Sequence, residues 1–100
     1  MRGRFEKCAS SIGGNTTMFE VDKGVCTTKC SFSGGAVQTA PYTLQDSDDE
    51  LAQICKDLRV RYVVFLPETV NVLDVYFNYF NECEYLCDTE VDGQTVLVLA

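Results

Sequence analysis

A chain of 100 residues with 46% apolar side chains is enough for one domain and too apolar to stay disordered. The formal net charge is −7 and there is no histidine, so the commonest catalytic base is missing. The acidity of the C-terminal half argues against its binding nucleic acid or anionic membrane. The charge is also uneven. Residues 1–30 carry five basic and three acidic side chains, whereas residues 46–92 carry three basic and twelve acidic ones. No apolar run approaches the roughly 20 residues needed to span a bilayer as a helix.

Met1-Arg2-Gly3-Arg4 is basic, but no apolar segment of signal-peptide length follows it, so the expected location is the cytoplasm. In that compartment the six cysteines, Cys8, Cys26, Cys30, Cys55, Cys83 and Cys87, are expected to be free thiols that pack as small hydrophobes.

Residues 4–44 read as four strands: Arg4–Ser10, Thr16–Val21, Val25–Ser33 and Ala36–Leu44. Turns at Gly13-Gly14-Asn15, Asp22-Lys23-Gly24 and Gly34-Gly35 separate them, in the rhythm of a β-meander. Alternation puts Cys26, Thr28, Cys30 and Phe32 on one face. Pro41 cannot donate to a ladder, which makes the fourth strand an edge or breaks it there.

From Asp46 to Phe80 the pattern predicts helix, strand, helix. Ser47-Asp48-Asp49-Glu50 forms a capping box with acids at the positive helix end. Leu51, Ile54, Cys55 and Leu58 then make one helical face. Arg61–Leu66 is apolar on both faces, as in a strand covered on both sides. Pro67 suits a first helical position. In Glu68–Asn81, Asn71, Asp74, Asn78 and Asn81 make a polar stripe opposite Val70, Leu73, Phe77 and Phe80, so period outranks strand propensity and predicts a helix.

Asp92-Gly93 is a two-residue hairpin signal joining Cys83–Val91 to Gln94–Ala100. The last of these strands is apolar on both faces and therefore interior. The expected fold is one α+β domain over residues 1–100. It has a mostly antiparallel sheet, built from a meander, then helix-strand-helix, then a C-terminal hairpin, with two helices packed on it.

Four features bear on function. Cys26-x3-Cys30 and Cys83-x3-Cys87 suggest a zinc site, the basis of an alternative reading as a metal-binding or redox protein. On strands, however, residues four apart are separated by about 13 Å, far more than one tetrahedral site allows. Catalysis has no histidine to use, and Cys55, Cys83 and Cys87 lie among acids that disfavour a thiolate, leaving Cys8 beside Lys7 as the least unfavourable nucleophile. The glycine pairs lack a phosphate-loop pattern. No catalytic residue, no cofactor and no enzymatic activity are therefore expected.

The fourth feature is Glu82–Asp92. Read as an uninterrupted strand, it puts Glu82, Glu84, Asp88, Glu90 and Asp92 on one face, broken only by Leu86. Neighbouring carboxylates would stand about 6.7 Å apart, roughly half the charge density of a nucleic-acid strand. Asp48, Asp49, Asp57 and Asp74 would add to the row if nearby. Such a row suits a basic protein partner, with Asp74 and the five strand acids as the contact set. Small acidic proteins that block nucleic-acid-handling enzymes, such as phage anti-restriction and anti-CRISPR proteins, are similar in charge and size. The expected function is thus a non-enzymatic binding protein and nucleic-acid mimic acting on a nucleic-acid-binding complex, without binding nucleic acid or membrane itself. A structural or assembly subunit that uses the exposed edge of the meander is a further alternative.

Overall fold

The computed structural model describes residues 4–43 and 49–100. Helix α1 (Arg4–Ile12) leads into strands β1 (Thr16–Asp22), β2 (Val25–Ser33) and β3 (Ala36–Pro41). Then come α2 (Asp49–Ile54), β4 (Tyr62–Phe65), α3 (Val72–Tyr79), and the hairpin of β5 (Tyr85–Val91) and β6 (Gln94–Leu99). The strands form one antiparallel sheet in the order β3-β2-β1-β4-β6-β5. This is the expected α+β fold of meander, helix-strand-helix and hairpin, with one helix more than expected among the described residues.

The extra helix replaces the strand expected at Arg4–Ser10. Phe5, Cys8, Ala9 and Ile12 fall at i, i+3, i+4 and i+7. The first three are buried, and Ile12 packs against the same core. Turn spacing suggested a meander here, but the helical period decided the structure. Gly13 ends the helix at φ 73°, its N–H bonded to the Ala9 carbonyl at 3.1 Å, a left-handed stop that favours glycine.

The sheet is covered on both faces. Residues of α1 and α3 pack on one face against Met18, Cys30, Tyr62, Val64, Leu97 and Leu99. On the other face Leu51 and Cys55 pack against Phe19, Val21, Cys26, Val63, Val96 and Val98. Strands β4 and β6 feed both cores, so each is apolar on both sides, as their sequences indicated. The neutral β3 and the acidic β5 are left as the two edges.

Both central helices differ from expectation in which face they bury. Ser47 and Asp48 of the capping box, like Leu44, lie outside the described residues. Helix α2 stops at Ile54, so Leu58 falls in the following turn and is 72% exposed. Helix α3 starts after Asn71, not at Pro67, because the Asn71 side-chain oxygen accepts from the Leu73 and Asp74 N–H groups at 2.9 and 3.2 Å. At the other end the Asn81 amide donates to the Phe77 carbonyl at 3.2 Å. Half of the supposed polar stripe therefore caps the helix ends. The helix buries Val75 with Phe80 just beyond it, leaving Leu73 and Phe77 50% and 62% exposed.

One inserted residue in each of two strands changes which side chains share a face. In β2, Glu20 stands opposite Thr28 and Val21 opposite Cys26. Thr27 is the extra residue, its hydroxyl donating to the Glu20 carbonyl at 3.2 Å. In β5, Tyr85 stands opposite Leu99 and Cys87 opposite Val98, so Leu86 is the extra residue. Because side chains alternate with period two, one insertion moves everything on one side of it to the other face. Cys26 accordingly faces the α2 core and Cys30 the α1/α3 core, not the single face that alternation predicted. Cys26 forms a disulfide with Cys55, with Cα atoms 6.4 Å apart. The expectation of six free thiols is therefore corrected at Cys26 and Cys55.

Candidate functional site

The insertion at Leu86 builds the most distinctive surface of the molecule. Beyond it, Asp88 stands opposite Leu97 and Glu90 opposite Thr95. Leu97 and Leu99 belong to the core under α1 and α3, so Asp88 and Glu90 share that face with Tyr85. In an uninterrupted strand residues 85 and 88 would point to opposite faces. Here the Tyr85 hydroxyl donates to an Asp88 carboxylate oxygen at 2.5 Å.

Helix α3 continues the surface. The Tyr76 ring meets Tyr85 edge-on, with centroids 5.2 Å apart at 81°, and the Phe77 ring at 5.4 Å and 66°, both favourable geometries for aromatic quadrupoles. The Tyr76 hydroxyl donates to the Cys83 carbonyl at 2.7 Å, which fixes the ring. A ladder thus runs Phe77, Tyr76, Tyr85, Asp88. Leu73 lies one turn before Phe77 on the helix, and Glu90 is the next residue of β5 on the Asp88 face. The helix end of this surface is apolar and exposed, and the strand end is anionic.

The electrostatics follow from the geometry. Burial, and then the hydrogen bond and charge of Asp88, push the Tyr85 phenol up to about 12. The neutral phenol is thus the form the folded protein favours. Above pH 10, where an unfolded tyrosine ionises, the unfolded chain holds fewer protons than the folded one. Stability from this group is complete below pH 10 and is lost as pH rises through about 12.

Of the six carboxylates expected to act together, only Asp88 and Glu90 meet on this face. Glu84 lies before the insertion, paired with Ala100 by backbone bonds of 3.1 and 2.9 Å. It points to the α2 side, where it bridges Arg59 at 3.0 Å, both side chains 63% exposed. A pair so exposed is worth at most about 1 kcal/mol. Glu82 borders a cleft with Lys7, Ser11 and Asn78 at the α1–α3 end. Asp92 occupies the hairpin turn at φ 51°. Asp74 sits in the first turn of α3, in a shallow cleft with Ile12 of α1. The continuous row predicted from alternation does not exist. Asp49 starts α2 on the far face, Asp57 accepts the Arg59 N–H at 2.8 Å, and Asp48 lies outside the described residues.

The four cysteines considered for zinc do not converge. Cys26 is in the disulfide, Cys30 and Cys83 are buried under α1 and α3, and Cys87 is exposed on β5 opposite Val98. Among the described residues no three Cys, Asp or Glu side chains cluster to hold an ion. Cys8 is buried, its thiol directed at the Tyr79 carbonyl at 3.8 Å. On the α2 face, an open groove of about 420 Å³ has Phe19, Tyr42 and Phe65 in its lining, with Lys29 and the acids Asp49, Glu50 and Asp92 around them. Charges of both signs around this groove select no ligand class.

The residues that sequence reasoning missed are Leu73, Tyr76, Phe77 and Tyr85. Their crowding between positions 73 and 85 was visible, but helical period assigned Leu73 and Phe77 to the core. No protein-family model, curated protein or solved structure matches this chain.

Proposed function

We propose that the chain is a non-enzymatic binding protein whose α3/β5 face receives cationic side chains of a basic protein partner. The observation that carries this reading is the ladder from exposed Phe77 through Tyr76 and Tyr85 to Asp88. An exposed aromatic ring gives an arginine a flat surface to stack on, and Asp88 and Glu90 supply the counter-charge. Apolar anchors beside charged groups are the usual make-up of an energetically concentrated contact. Mimicry of a regular phosphate row is not part of this proposal, because Glu84 and Asp88 lie on opposite sides of the sheet.

The test is a calorimetric titration with a deca-arginine peptide at low and at physiological salt. Asp88→Lys combined with Glu90→Lys should weaken binding by at least about tenfold, and salt should weaken the wild type. Glu84→Lys, on the other face, should change affinity less than about threefold. Melting curves confirm that each variant is folded. Equal losses from the two faces, or no loss from Asp88 and Glu90, would contradict the assignment.

A further inference from the structure

The two edges of the sheet are chemically opposite. Strand β5 carries Asp88 and Glu90 with an inserted residue at Leu86, devices that stop another strand from adding. Strand β3 carries neither. Its sequence is Ala36-Val37-Gln38-Thr39-Ala40-Pro41, all exposed except half-buried Val37, and no charged residue occurs anywhere between positions 31 and 45. Its pairing with β2 runs without an insertion from Ser33/Ala36 to Thr28/Pro41.

The ladder shows which groups face outward. The Tyr42 N–H bonds the Thr27 carbonyl at 3.1 Å, and hydrogen-bonded pairs recur at every second position of an antiparallel ladder. The bonded pairs are therefore Thr27/Tyr42, Lys29/Ala40, Ser31/Gln38 and Ser33/Ala36. Val37 and Thr39 lie between them, so their N–H and C=O groups point away from β2. Pro41 has the same parity, and its missing donor is thus lost from the open edge and not from the sheet.

We propose that β3 is the site of self-association, pairing antiparallel with β3 of a second copy of this chain about a twofold axis at Gln38. Val37 of each copy then stands opposite Thr39 of the other, and the outward groups close four hydrogen bonds. Charge selects this occupant. Self-pairing through β3 brings no charged β3 side chain against another, whereas self-pairing through β5 would set Asp88 and Glu90 against their own kind. The sheet order places β5 five strand spacings from β3, about 24 Å away. The dimer would carry its acidic edges at opposite ends, where their repulsion is screened. This inference is independent of the proposed partner, which would meet the other edge.

Sedimentation equilibrium from about 1 μM to about 1 mM, the range of weak specific association, tests it with the purified chain. The wild type should pass from monomer to dimer. Gln38→Lys and Gln38→Glu should each raise the midpoint at least about tenfold, and an equimolar mixture of the two should restore dimer. Thr39→Pro removes an outward donor and no β2–β3 hydrogen bond, and should also yield monomer, with circular dichroism confirming the fold. A wild type that stays monomeric over the whole range would overturn the proposal. So would a dimer that persists in the folded Gln38→Lys and Thr39→Pro variants.

Discussion

Phe80→Ala is expected to lower the unfolding free energy by about 3–5 kcal/mol, while Phe77→Ala lowers it by less than about 1 kcal/mol. Phe80 has no exposed surface, and its ring centroid lies 6.4 Å from that of Tyr62 on β4. It also closes α3, its N–H bonded to the Tyr76 carbonyl at 2.9 Å. Truncation leaves a cavity in the core where helix and sheet meet. Phe77 is 62% exposed, so its ring loses little by truncation. Urea denaturation of both variants reads the difference. A large loss at Phe77 would return that ring to the core and remove it from the candidate site.

The second large effect is expected at the disulfide. Cys26 on β2 and Cys55 after α2 are 29 residues apart in sequence, so their bond restricts a long loop of the unfolded chain. The chain-entropy relation gives about 3–4 kcal/mol for such a loop. Reduction, or Cys55→Ala, should lower stability by about that amount. A maleimide count in denaturant should find four reactive thiols, those of Cys8, Cys30, Cys83 and Cys87, and two more only after reduction. Six thiols reacting before reduction would contradict the bond.

Much of the architecture was legible because the signals were local. Asp92-Gly93 specified its hairpin. Apolar runs at Tyr62–Phe65 and Gln94–Leu99 marked the interior strands, and Pro41 marked an edge. What escaped the sequence was register. Thr27 and Leu86 each add one residue to a strand, and neither residue type announces an insertion. Each insertion reverses the alternation on which a face assignment rests. This separated Cys26 from Cys30 and Glu84 from Asp88, and it joined Tyr85 to Asp88. Helix faces failed for another reason. Asn71 and Asn81 counted as a polar stripe when they cap the ends of α3, which turned the assigned apolar stripe from Val75 toward Leu73 and Phe77. The first helix was hidden by a turn spacing that fitted a meander equally well.

The central claim is that the insertion at Leu86 sets Tyr85 and Asp88 side by side on the α3 face. Ultraviolet titration of the phenols measures this most directly. The Tyr85 phenol should ionise only near about 12. In Asp88→Ala its value should fall measurably, because the hydrogen bond and charge of the carboxylate are gone. Glu84→Ala should leave it where it was. If the late phenol is absent, or is indifferent to Asp88→Ala, the Tyr85–Asp88 contact on which the candidate site rests is contradicted.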